Sequence, residues 1–220
     1  MITLATSTIG EAWLEVARRI LTDGRPSRYD DLPILELASV TLEVAHPDPG
    51  DELIARFADP ERLEWMRRNF VDADLVAELG DARSYASRFH DYNATGRDQV
   101  DWVVARLADD PTSRSATITT FEPLLDTSYV PCVSMLDFWI PSDALDLVVY
   151  AHSIDFGAKG YGNLVQLASI QHDVAQRLER PVGDLSFIIK SAHVYDTEHE
   201  FMNGVLSAAG TPVADGTSIR

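Results

Sequence analysis

The sequence predicts an α+β fold: a single domain over residues 1–220, with a mixed or antiparallel sheet and flanking helices. Three observations lead there. Runs of period-two alternation and runs of helical spacing are interleaved without the regular strand–helix–strand rhythm of a doubly wound parallel sheet. A 45% hydrophobic fraction over 220 residues supplies one sizeable core. Pro141-Ser142-Asp143 separates two β-prone runs by a tight turn, as in an antiparallel hairpin.

The elements follow in order. Residues 9–22 form an amphipathic helix, with Ile9, Trp13, Val16, Ile20 and Leu21 near helical spacing and Gly24 as the stop. Arg25-Pro26-Ser27-Arg28 reads as a basic turn. Residues 36–45 alternate as a strand, broken by His46-Pro47-Asp48-Pro49-Gly50. A short helix covers 52–57, and Pro60 opens another that carries Leu63, Met66 and Phe70. Residues 81–92 are mixed and mostly polar. A helix over 98–107 sets Val100, Val103, Val104 and Leu107 on one face and ends at Asp109-Asp110-Pro111. Strands are expected over 116–121, 133–140, 144–152 and 185–192, with a long helix over 163–178. From about Ser207 the chain reads as a mobile tail with Gly210, Pro212 and Gly216.

Bulk properties exclude several classes. A net charge of −17 opposes general nucleic-acid binding. A small anionic ligand would need a local cluster of arginines. One cysteine forms no internal disulfide, and the N-terminus lacks a basic region followed by an apolar block, so a reducing cytoplasm is expected. No apolar run approaches the roughly 20 residues a membrane helix needs. His172, His193 and His199 lack the spacing of a zinc site, so no metal is expected.

Chemistry centres on that cysteine. Cys132 lies in Tyr129-Val130-Pro131-Cys132-Val133-Ser134-Met135-Leu136-Asp137-Phe138-Trp139. Downstream come His152-Ser153-Ile154-Asp155, the glycines 157, 160 and 162, Asn163, and His193-Val194-Tyr195. A thiolate is accessible near neutral pH and can add to a carbon–carbon double bond.

This ordered set resembles the thymidylate synthase family, which includes the pyrimidine nucleotide hydroxymethylases. The likeness is strongest over residues 109–199. It implies a thymidylate synthase-like fold and folate-dependent one-carbon transfer to the 5-position of a pyrimidine nucleoside monophosphate (CMP, dCMP or dUMP) through a Cys132 adduct. Methylene-tetrahydrofolate would be the co-substrate and a homodimer packed sheet to sheet the assembly. Glu52, in Glu52-Leu53-Ile54, would serve proton transfer, and Tyr85 would lie close to the reaction centre. Asn163 would read the base edge, and His193 and Tyr195 would hold the sugar hydroxyl. Arg114, from Asp110-Pro111-Thr112-Ser113-Arg114, would reach the phosphate in the neighbouring subunit. Ser153, His152 and Arg25 or Arg28 would complete the phosphate site, and Asp155 would contact the pterin.

Departures from the family pattern are as informative. Val133 stands for a histidine, Asp137 for a glutamine, Ser115 for a second arginine and His152 for an arginine. An arginine is a permanent bidentate donor and a histidine is not. The altered strand and a short C-terminus favour access by water, and so lean to hydroxymethylation. The alternatives are thymidylate synthase methylating dUMP, or a catalytically inactive nucleotide-binding homologue.

Overall fold

A computed structural model describes residues 1–29, 31–72, 74–126 and 129–211. Its frame is a sheet in the order β1-β3-β10-β8-β7-β6, with β2 added to β3 and β9 added to β10. The strands are β1 (Ile2–Thr8), β2 (Arg25–Tyr29), β3 (Leu32–His46), β6 (Ala116–Thr119), β7 (Val133–Trp139), β8 (Leu145–Ala151), β9 (Ile154–Asp155) and β10 (Val182–Tyr195). A separate ribbon pairs β4 (Leu75–Val76) with β5 (Ala82–Arg83). The main sheet is mixed. β1 runs parallel to β3 and β10 parallel to β8, while β3 and β10, β7 and β8, and β6 and β7 are antiparallel.

Strand β3 is longer than its alternating core. Ser39 takes a positive φ of 58°, rare for a residue with a side chain. The kink divides β3: residues before it pair with β2, and those after it pair with β1. The predicted basic turn over 25–28 is therefore corrected to strand β2. Arg25 faces Glu36 and Arg28 faces Pro33 in an antiparallel hairpin. Pro26 is tolerated because β2 is an edge strand.

The helices are α1 (Ile9–Asp23), α2 (Glu52–Phe57), α3 (Pro60–Val71), α4 (Tyr85–His90), α5 (Gln99–Asp109), α6 (Gly160–Arg177) and α7 (His199–Ala208). Each of the first five starts on a short polar cap: Thr8, Asp51, Asp59, Ser84 and Asp98 accept first-turn N–H groups. α1 buries Ile9, Trp13, Val16 and Ile20 against the sheet. Trp13 satisfies its indole by donating to the Phe156 carbonyl at 3.0 Å. Burying a side chain of this size contributes about 2–3 kcal/mol. α6 buries Tyr161, Leu164, Leu167 and Val174 beside it.

Ser207 and Ala208, where the tail is expected to start, are the last two residues of α7. Residues 212–220 lie outside the described residues. The sheet face away from the helices keeps apolar side chains in reach of solvent, with Met135 38% and Ile188 49% exposed. No helix among the described residues is long and apolar enough to cross a membrane.

Candidate active site

Cys132 sits one residue before β7, and its carbonyl accepts the His152 N–H at 3.0 Å. That bond holds the β7 entrance against the β8 exit. Ser153, buried in the turn after β8, places its Oγ 3.5 Å from the sulfur as a donor. Burial pushes the Cys132 thiol up, while the Ser153 hydroxyl and the Lys159 ammonium pull it down. The net direction is upward, so the resting group is a thiol that must lose its proton to react.

Tyr85 opens α4 and reaches the same point. Its buried phenol oxygen accepts the Val133 N–H at 2.9 Å. Burial, then the neighbouring Cys132 and Tyr129, keep its proton on far above the ordinary range. Tyr85 thus fixes the strand that carries the nucleophile. Replacing it with Phe orphans a buried backbone N–H, which costs about 1–3 kcal/mol. Tyr85→Phe is expected to lower the melting temperature by several degrees and to slow reaction at Cys132, checked by thermal unfolding and by thiol alkylation rate.

Asp155 is held by loop geometry. Its carboxylate accepts the N–H groups of Gly157 at 3.0 Å and Ala158 at 3.2 Å. Burial outweighs those bonds and pushes its pKa up to about 6. Asn163, in the first turn of α6, is buried and donates from Nδ2 to the Lys159 carbonyl at 3.3 Å. β9 lies beside β10, so Asp155 is in register with His193, and the His193 carbonyl accepts the Phe156 N–H at 2.8 Å. The His193 ring lies 5.2 Å from Tyr195 and 5.3 Å from Tyr29. Cys132, Ser153, Asp155, Asn163 and His193 therefore share one neighbourhood, though 61 residues separate the first from the last.

The basic residues divide. Arg25 is engaged by Glu36 at 3.3 Å. Arg28 is exposed and donates to the Asp31 carbonyl, next to the Tyr29 that touches His193. His152 is half-buried, and burial together with Lys190 pushes its pKa down, so it is neutral at pH 7. Arg114 stands elsewhere. Its guanidinium donates to the Thr112 carbonyl at 2.6 Å and lies 5.5 Å over the Trp139 ring. Trp139 closes β7, whose other end adjoins Cys132, so about 20 Å of strand separates Arg114 from the sulfur of its own chain.

Glu52 is the first residue of α2. Asp51 caps α2 and also accepts the Gly10 N–H at 3.0 Å, which ties α2 to the start of α1. Glu52 is left exposed and makes no hydrogen bond or ion pair among the described residues.

Sequence reading missed three supports. Asn69 of α3 is buried and accepts the Tyr85 N–H at 3.1 Å. Arg88 is buried in a two-point pair with Asp126, both bonds 2.8 Å, and donates to the Thr120 carbonyl at 2.7 Å. Thr120 in turn donates to the Val133 carbonyl, so Arg88 braces the segment leading into β7. Trp65, on α3, receives the Lys159 ammonium 5.4 Å from its ring centre. Helical spacing marked α3, but no local pattern says that its polar side faces a loop 90 residues away.

A mixed sheet flanked by helices, with one half-buried cysteine set among Ser, Tyr, Asp, Asn and His, defines an α+β protein built around a thiol. The thymidylate synthase family model matches residues 38–214, and the chain belongs to that family. A "Putative thymidylate synthase" of Methanosarcina barkeri is 28% identical over 210 residues, covering 90% of this chain and 92% of the relative. Another so described, from Methanosarcina mazei, is 29% identical and covers 86% and 84%. A "Thymidylate synthase" of Francisella tularensis is 25% identical and covers 76% and 68%. The family carries out folate-dependent one-carbon transfer to the 5-position of a pyrimidine nucleotide. Among the described residues, no group of three or more His, Cys, Asp and Glu is placed to hold a metal.

Proposed function

We propose that Cys132 adds to the 6-position of a pyrimidine nucleoside monophosphate, and that the 5-position then acquires a hydroxymethyl group. The observation that carries this reading is the seating of the thiol: Ser153 donates to it, Tyr85 fixes its strand, and the loop after Ser153 carries Asp155, in register with His193, and leads into Asn163. Forming the S–C6 bond moves the electron pair of the ring double bond onto the 5-position, which becomes enolate-like and nucleophilic. When bound, methylene-tetrahydrofolate supplies the one-carbon unit. The 5-hydrogen then leaves as a proton and the bond from the one-carbon unit to the folate nitrogen breaks, which leaves an exocyclic methylene on the base with the sulfur still on the 6-position. Addition of water or hydride to that methylene returns an electron pair to the ring, and that pair expels the sulfur.

Residues of this chain meet the needs of both ligands. The Trp65 face and the Asp155 carboxyl suit a flat, hydrogen-bonding heterocycle. Asn163 offers a donor and an acceptor to the base edge. His193 and Tyr195 hold the sugar, and Ser153, His152 and Arg28 the phosphate. Arg114 serves the phosphate of the partner subunit in a homodimer formed through the bare sheet face.

Water decides the product. Hydride transfer to the methylene requires a dry site, whereas water capture gives hydroxymethyl. The groove beside Trp65 is lined by Asp59, Glu61, Arg62, Arg68 and Lys159, a charged wall that keeps water close. That favours hydroxymethylation. The relatives described as thymidylate synthases favour the second reading, methylation of dUMP. Product mass after incubation with each pyrimidine monophosphate and methylene-tetrahydrofolate tests this. Oxidation of the folate to dihydrofolate marks methylation, and a hydroxymethyl product without oxidation marks the reading proposed.

Asp155 adds a pH signature. Its carboxyl is protonated below about 6 and ionised above. A raised carboxyl pKa means the folded state binds the proton more tightly, so this group's stabilisation falls as pH climbs from the model-peptide range through about 6. The rate is expected to inflect near pH 6, and Asp155→Asn, a mimic of the protonated form, to remove that inflection. A limb that persists in Asp155→Asn assigns it to another group.

A further inference from the structure

The sequence holds only two lysines among its eighteen Lys and Arg residues, and both stand beside the candidate site. Lys159 sits at the head of α6. Its N–H donates to the Asp155 carbonyl at 3.1 Å, and its own carbonyl accepts from the Asn163 backbone at 3.0 Å. The backbone of Lys159 is therefore pinned between two residues of the site, while its side chain is exposed and lies over Trp65. Ser153 touches the sulfur, and Asp155, two residues further on, accepts the Lys159 N–H, so Lys159 belongs to the same short loop as the thiol's partner and its positive charge favours the thiolate.

Lys190 reaches the site from the sheet. Ile189 of β10 and Ala151 of β8 are in register, and both are buried. One residue further along these parallel strands, Lys190 and His152 lie side by side on the opposite face. Lys190 is exposed and has no ion pair among the described residues. A neutral His152 cannot neutralise a phosphate, so the neighbouring ammonium is the fixed charge at that spot.

We infer that the two lysines divide the work an arginine at position 152 would have done alone. Lys159 is a positioning residue that steadies the Cys132 thiolate, and Lys190 binds the substrate phosphate directly. The Lys190 half rests on the nucleotide reading above, and the Lys159 half does not.

The two halves are tested on the full-length protein. Iodoacetamide alkylation of Cys132 is followed by intact mass from pH 6.5 to 9.5, in wild type, Lys159→Met and Lys159→Arg. The Met variant is expected to react roughly three- to tenfold more slowly at pH 8, with its profile displaced to higher pH, and Arg to restore the rate. Pyrimidine monophosphates and their nucleosides are then titrated into wild type, Lys190→Met and the double variant Lys190→Met/His152→Arg. Monophosphate affinity is expected to fall about tenfold in Lys190→Met, nucleoside affinity to stay unchanged, and the double variant to recover. Both side chains are exposed, and a thermal unfolding curve for each variant checks the fold. Superimposable alkylation profiles for Lys159→Met and wild type overturn the inference, as does unchanged monophosphate affinity in Lys190→Met. The alkylation arm needs no nucleotide, so it stays readable even if loss of Cys132 leaves catalysis intact, the result that would end the functional proposal itself.

Discussion

Cys132→Ala is expected to eliminate release of tritium from the 5-position of labelled dUMP, dCMP or CMP in the presence of methylene-tetrahydrofolate, a fall of at least about a thousandfold. The 5-hydrogen of a pyrimidine is inert until a nucleophile saturates the 5,6-double bond, and Cys132 is the only thiol in the chain. Neither Ser153 nor Tyr85 can substitute: a hydroxyl is a poor nucleophile near neutral pH, and the Tyr85 phenol is held protonated. Fold and binding should survive, because the sulfur makes one long hydrogen bond and its loss removes a single atom. Monophosphate titration of Cys132→Ala should therefore give an affinity near wild type. If the wild type exchanges no tritium with any of the three nucleotides, the chain is a nucleotide-binding homologue without catalysis. Exchange that survives in Cys132→Ala ends the thiol mechanism.

Arg114→Ala is expected to weaken nucleoside monophosphate binding by about a hundredfold while leaving nucleoside binding within about twofold. The expectation rests on distance. Arg114 lies at the far end of β7 from its own Cys132, so a phosphate that it binds would belong to the proposed partner subunit's site. Complementation tests that directly. Inactive Arg114→Ala and inactive Cys132→Ala, mixed and re-equilibrated, should recover about a quarter of wild-type activity, because half of the random dimers are mixed and each of those holds one intact site. Recovery places Arg114 across a dimer interface. No recovery, or equal loss of nucleotide and nucleoside binding in Arg114→Ala, removes its phosphate role. The bare sheet face with Met135 and Ile188 is the surface such a dimer would cover, so Ile188→Asp is a natural companion variant, read by its mass in solution.

Secondary structure was legible where side-chain periodicity and capping agreed. α1, α2, α3 and α5 start on Thr8, Asp51, Asp59 and Asp98, each followed by apolar positions at helical spacing. β7 and β8 alternate and are joined by a Pro-containing turn. The errors have physical causes. β1 is short and Thr-rich, and it is a strand because β3 offers it a parallel edge. β2 contains proline and two arginines, which read as a turn until Glu36 and Pro33 face it. α7 was hidden by Gly204 and Gly210, although Met202, Val205 and Leu206 are spaced to bury one face.

From composition and order of residues alone came the family likeness, the α+β class and the single thiol, because those depend on which residues follow which. Proximity was another matter. That Asp51 ties α2 to α1, that Asn69 and Arg88 brace the cysteine strand, that Lys159 lies over Trp65 and that Lys190 falls beside His152 all depend on strand register and helix packing. These contacts join residues tens of positions apart, and no local pattern encodes them. Only the folded chain, by choosing which faces to bury, brings them together.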